Sequence, residues 1–296
     1  MDTLSKVFII KAQGVLSPDR KVNSSVVYKM IKLGLSQISK SSDSPTFDLN
    51  PGRNTGIKIN TIGGFKLTTR PETALALAKN LEERGLKPNS IIIWDRTNRE
   101  LIDAGYRLRN DRQQINIYGT DMSGVGYDRE PTSHLNIGSL FSTIQSRHIS
   151  NSISLALLKD HGLAGITAGM KNYYGVIHNP NKYHDFNCDP FVAELFDTDH
   201  IKKKHKLSIL DCLEVQYHRG PALHPAWLDR QESLIFGLDP VAVDYAGWQL
   251  IERLRAKKGL PSLKEEKREP SYLKTAEKMG LGYANPNKIE IIEKEL

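Results

Sequence analysis

The densest set of residues able to do chemistry lies between Leu155 and His184, in LALLKDHGLAGITAGMKNYYGVIHNPNKYH. The pattern predicts a buried strand, a glycine-rich loop carrying His161, a helix start carrying Lys171, and a second loop carrying His178 and His184. Gly162, Gly165 and Gly169 let backbone N–H groups come close to a ligand. A helix beginning after Gly169 would aim its positive end into the same space. Together these make an anion cradle for a carboxylate or a phosphate. A cation at a helix start opposes the helix dipole, so Lys171 asks for a negative partner. Imidazole titrates near neutral pH, which assigns His161 acid/base work and His184 a second acid/base role, with Lys171 as anion or cofactor anchor. The competing structural reading is a tight strand–helix turn with a satisfied histidine and a solvated lysine.

A second constellation is Trp94-Asp95-Arg96-Thr97-Asn98-Arg99, directly after a run of isoleucines. Asp95 closes the strand, Thr97 can cap the next helix, and Arg99 lies in its first turn. Arginine binds carboxylate or phosphate in a bidentate fork, so Asp95, Thr97 and Arg99 join Gly165 and Gly169 as the expected substrate-binding set. An Asp–Arg salt bridge shaping the turn is the alternative. A third set, His178, His184 and Cys188, is metal-capable, but its spacing matches no standard zinc motif. Asp121 with Gly124, Gly126 and Tyr127, and the run His218-Arg219-Gly220-Pro221, follow strands and read as pocket wall or structure. No GxSxG, HExxH or Walker loop is present.

The elements that must position these residues alternate between strand and helix. Strands are expected at Lys6 to Val15, Gly56 to Asn60, Asn89 to Asp95, Ile115 to Thr120, Ser152 to Leu158 and Leu207 to Gln216. SLIFG and a final KIEII complete the strands. Helices follow Asn23, Thr69 (with Pro71 in the first turn and Gly85 at the end), Thr97, Asp189-Pro190 and Asp239, and SYLKTAEKMG forms a last one. The stretch from Ser39 to Asn54 reads as a surface loop. The alternation predicts an α/β fold, a largely parallel β-sheet covered by helices, in which ligands bind beyond the carboxyl ends of the strands. Residues 1–296 read as one domain. If two lobes exist with a cleft between them, their joint falls within 121–150.

Composition bounds the function. The chain has 296 residues, 39% hydrophobic and 25% charged, ordinary for a globular protein. No apolar run approaches the ~18 residues of a membrane span, so no membrane partner is expected. The net charge of +7 permits an anionic partner, yet Lys and Arg are scattered. Nucleic acid is therefore not expected. The two cysteines, Cys188 and Cys212, cannot supply the four ligands of an ordinary iron–sulfur cluster and read as unbonded thiols. The opening VFII lacks the flanks of a signal peptide. A complete chain would be cytoplasmic, and one whose signal had been removed would be exported to the periplasm.

GIKINTIGG, ETALALAKNLEERGLKPNSIIIWDR, HGLAGITAGMKNYYGVI and FGLDPVAVDYAGWQLIE resemble, in content and order, the family known as domain of unknown function 362. The resemblance covers nearly the whole chain. Many members of that family carry a ferredoxin-like iron–sulfur module or a twin-arginine signal, and this sequence shows neither. More distantly, Asp95, Thr97 and Arg99, then His161, Gly165, Gly169 and Lys171, then His184, are similar to the lactate racemase family. Asn98 stands where that family has Arg. This resemblance implies an α/β architecture, a nickel-pincer-like cofactor or other divalent metal near Lys171, and proton transfer beside a carboxylate. The combined expectation is an enzyme acting on a small anionic molecule. The alternative is a non-catalytic binding protein, or a subunit serving an iron–sulfur redox partner.

Overall fold

The computed structural model describes residues 4–41, 49, 52–64 and 67–296. Its strands are β1 (Ser5–Lys11), β2 (Thr55–Lys58), β3 (Ile91–Asp95), β4 (Asn116–Gly119), β5 (Thr132–His134), β6 (Ile137–Ser139), β7 (Asn151–His161), β8 (Gly165–Thr167), β9 (His205–Gln216), β10 (Leu228–Gly237) and β11 (Ile289–Glu295). The helices are α1 (Ser24–Ser41), α2 (Pro71–Glu83), α3 (Asn98–Asp103), α4 (Phe191–Asp197), α5 (Asp199–Lys202), α6 (Pro240–Lys257) and α7 (Tyr272–Lys278). The main sheet has nine strands in the order β11-β1-β10-β9-β7-β2-β3-β4, with β8 paired to β7. From β9 through β7, β2 and β3 to β4 every pairing is parallel. β10 runs antiparallel to both β9 and β1. The expected α/β fold with a largely parallel sheet is what the chain forms.

Both faces are covered, as a parallel sheet requires. Val27, Met30, Ile31, Leu35 and Ile38 of α1 and Leu77 and Leu81 of α2 join Ile57, Ile93 and Leu155 in one core. On the other face α6 packs Val243, Ile251 and Leu254 against Ala156, Leu158 and Leu210. A third cluster holds Trp94, Phe141, Tyr173 and Tyr174 with α4 and α7. β3 is buried at every position. Each of its isoleucines contributes about 1.5–3 kcal/mol by burial, which explains a strand that is apolar without alternation. The Ser39–Asn54 loop lies partly outside the described residues, and α1 extends to Ser41.

Several boundaries move for local reasons. Asn23, Thr97 and Asp239 accept from backbone N–H groups at their helix starts, as their side chains predict. Thr69 does not cap α2. Arg70 holds that position, and the Thr69 hydroxyl donates to the Leu155 carbonyl instead. The helix expected after Pro190 breaks into α4 and α5 at Thr198, whose backbone is extended. The largest change follows β7. That strand runs on through His161, and residues 162–164 turn it back into β8. A β-hairpin stands where a strand–loop–helix was expected. Residues 121–150 carry the small β5–β6 sheet.

Candidate functional site

Strand order places the site. β2, β3 and β4 succeed one another in one direction and β7 and β9 in the other. Between β7 and β2 the succession reverses, so the connections leaving their carboxyl ends part to opposite sides and leave a crevice. A cavity of about 660 Å³ opens there, lined by Lys58 from β2, Asp95 from β3, Lys159 and His161 from β7, and Lys171 and His184 from beyond β8.

Its floor is an ion pair. Lys58 Nζ lies 2.6 Å from Asp95 Oδ1 and donates to the Ile59 carbonyl at 2.7 Å. The Asn172 amide oxygen also faces that ammonium at 3.3 Å, and its amide nitrogen donates to the Lys58 carbonyl. Asp95 Oδ2 accepts from both the N–H and the hydroxyl of Thr61. Each charge is compensated and hydrogen-bonded, as a buried pair must be. Burial still lowers the Lys58 ammonium, against the pull of Asp95. Gly175 makes room for the pair: a Cβ there would lie 2.6 Å from Lys58 Nζ and 2.9 Å from Asp95 Oδ1. Arg96 on the same wall is neutralised by Glu100 at 2.6 Å.

Two further lysines have no such carboxylate. Lys159 is 1% exposed, and its ammonium has no hydrogen-bond partner among the described residues. Burial, and then the neighbouring Lys171 charge working against Asp95, brings it down to about 8. Lys171 Nζ lies 3.1 Å from His184 Nε2 and 4.0 Å from the centre of the Tyr174 ring. Burial lowers it to about 8 as well, with the Cys188 thiol as its opposing influence. An unpaired ammonium held out of water is costly unless an anion joins it.

Both cavity histidines are held toward the neutral form. His161 Nδ1 accepts from the N–H groups of Leu163 and Ala164, so its proton sits on Nε2. Burial and the Lys171 charge drive its imidazolium form down to about 2. The expected neutral-pH titration of His161 is opposed by its burial and by Lys171, and its Nε2–H is left free to donate. His184 faces the Pro180 carbonyl through Nδ1 at 3.1 Å, which leaves Nε2 to accept from Lys171. Burial and Lys171 lower it too. The two rings stack with centroids 5.7 Å apart.

Other expectations fare differently. Asp95, His161, Lys171 and His184 meet at the cavity. Thr97 serves as helix cap, and Arg99 points to solvent, its side chain 91% exposed beside Asp103. Arg99 sits on the outward face of α3, and Arg96 takes the cavity position. The glycine-rich cradle is also corrected. Its Gly169 and Met170 N–H groups already donate to the buried Asp244 carboxylate, at 2.7 and 3.0 Å, and only a short 3-10 helix, Lys171–Val176, follows. Gly165 sits at φ +76, where a Cβ would collide with the Arg268 carbonyl. His178 is exposed and packs edge-on to Tyr127. Among the described residues no group of three His, Cys, Asp or Glu could hold a metal ion, so the set His178, His184 and Cys188 is not assembled. Cys188 is a free, buried thiol. Its residues 186–188 all have positive φ.

Sequence reasoning passed over Lys58, Lys159 and Asn172. A signal existed: Lys58 in GIKIN and Lys159 in LALLKDH interrupt otherwise buried strands. A lysine there must be paired or functional.

A model of the family described as "Domain of unknown function (DUF362)" matches residues 55–249. That span holds every cavity residue named above. No curated protein matches the chain. Among solved structures, a Thermotoga maritima protein determined as a structural-genomics target aligns at 13% identity with a TM-score of 0.45. The alignment covers 79% of this chain and 60% of that one, so the chain spans under two thirds of its length. No described helix is long and apolar enough to cross a membrane.

Proposed function

The chain belongs to the DUF362 family, and from the charge of its cavity we propose that it binds a small anionic molecule there, a carboxylate or a phosphate. The observation carrying this reading is the Lys159 ammonium, buried and unpartnered. Lys171, without a carboxylate of its own, supplies a second positive charge, and the neutral His161 offers its Nε2–H to an anion oxygen. The Lys58–Asp95 pair supplies rigidity and no net charge.

The reading extends to proton transfer beside that anion. A lysine lowered to about 8 is poised to exchange a proton at neutral pH. His184 Nε2, 3.1 Å away, accepts a hydrogen bond from the Lys171 ammonium and orients it. Lys171 and His184 are then the catalytic pair, with Asp95 holding the floor. The fate of a substrate C–H bond distinguishes an enzyme from a binding protein.

Isothermal titration with inorganic phosphate and with acetate tests the binding. Lys159→Met should weaken the better ligand by at least ~30-fold, the effect of removing one partner of a buried charge pair. Equal binding by parent and variant would overturn the proposal. Deuterium uptake from D2O into the α-carbon of a bound carboxylate tests the chemistry. Lys171→Met should abolish uptake while Lys159 retains the anion, and no uptake by the parent leaves a non-catalytic binding protein. Denaturing intact mass on the same sample shows whether Lys171 instead carries a covalent cofactor.

A further inference from the structure

The cavity is far larger than the anion its floor asks for. Phosphate or acetate is a few times the ~30 Å³ of one water, whereas the cavity holds about 660 Å³, the range of sites for much larger ligands. Lys58, Asp95, Lys159 and Lys171 are its buried charges, and the part-exposed Arg96 and Glu100 pair with each other. Much of the remaining wall is apolar, and three separate loops supply that apolar part. Ile62 follows β2, Leu163 follows His161, and Pro221, Ala222 and Leu223 follow β9. Ile62 is 59% exposed and Leu163 48%, so both keep much of their apolar surface in water. Convergence of such side chains on one opening marks a binding surface rather than scattered exposure. The Asn60 amide oxygen adds a buried polar atom without a partner to the same wall.

Resting on the anion reading above, we propose that the ligand is amphipathic. It has one anionic head at Lys159 and Lys171, a hydroxyl or other donor beside the head for the Asn60 amide oxygen, and an apolar body against Ile62, Leu163 and Leu223. The head supplies charge recognition at the bottom of the crevice. The body displaces water from the rim, and each buried methylene strengthens binding roughly fourfold.

Isothermal titration of the full chain with acetate against hexanoate, and with inorganic phosphate against hexyl phosphate, tests this. The longer member of at least one pair should bind at least about tenfold more tightly. That ratio should collapse toward one in an Ile62→Ser, Leu163→Ser double variant, whose exposed sites leave folding intact by circular dichroism. Acetate or phosphate binding with no gain from the longer chain overturns the amphipathic ligand and leaves the anion reading standing. A gain that survives the double variant also overturns it, because the body would then lie elsewhere. No binding by any of the four overturns the anion reading and this inference together.

Discussion

β7 ends between two buried charge clusters, and they are built on opposite rules. Lys159 and His161 project to one side of the strand and Asp160 to the other, because successive strand residues alternate. On the Asp160 side the charges close on themselves. Arg268 lies 2.5 Å from Asp160 and Arg255 lies 2.6 Å from Glu266. The fully buried Arg255 also donates to the Pro261 and Tyr217 carbonyls, and the Gly220 N–H donates to Asp160. Two guanidiniums face two carboxylates and the donors find acceptors. On the Lys159 side, Lys58 and Arg96 are matched by Asp95 and Glu100, while Lys159 and Lys171 are not. A closed set of charges ties the 217–221 and 261–268 segments to the sheet. One residue away, the Lys159 ammonium has no hydrogen-bond partner among the described residues.

The largest way to break the comparison is Arg255→Met. It leaves Arg268 alone to face both Asp160 and Glu266 and removes the donor to the Pro261 and Tyr217 carbonyls, and should cost about 3–5 kcal/mol of stability in urea unfolding. Lys159→Met, which removes an unpaired charge, should leave stability equal or higher. If both variants lose stability alike, the contrast between a closed and an open cluster is wrong.

pH sharpens it next. Lys159 and Lys171 are held near 8 in the folded chain, against an ordinary 10.5 when unfolded. Between those values the unfolded state binds more protons. Stability should therefore climb as pH rises from about 8 toward 10.5, by roughly 1–3 kcal/mol per lysine. Below about 8 the full cost of the buried charges is present. Lys159→Met should remove its share of the climb, and saturating phosphate should flatten it, both read from denaturation midpoints across pH. A parent whose stability is flat across that range would remove the open cluster.

Gly165→Ala probes the joint between the clusters, since Gly165 packs on the Arg268 backbone at positive φ. A loss of about 1–3 kcal/mol is expected, measured by thermal unfolding. The smallest effect belongs to Arg99→Ala. An exposed pair at 3.8 Å from Asp103 is worth less than ~0.5 kcal/mol, and anion affinity by titration should not change. A tenfold loss of affinity there would restore Arg99 to the site.

The legibility of the site differs from residue to residue. His161, Lys171, Asp95 and His184 were readable because each sits at the end of a strongly patterned segment, and strand ends are where open sheets bind ligands. Arg99 misled because helix position alone does not tell which face of α3 turns outward. The glycine-rich run misled because the carboxylate that occupies its N–H groups, Asp244, lies on α6, 75 residues from Gly169 in the chain.

The sequence by itself determined the strand and helix alternation, and with it the α/β sheet, the caps at Asn23, Thr97 and Asp239, and the end of the sheet where a site belongs. Those features follow from local periodicity and side-chain chemistry, which the chain carries wherever it folds. Tertiary structure alone decided the charge state of the cavity. Whether a lysine is paired depends on which carboxylate the packing brings within a few ångströms. Lys58 meets Asp95 across 37 positions of sequence, and Lys159 meets none. Burial then sets the cost of that difference, because the energy of a charge is set by its surroundings and not by its place in the chain.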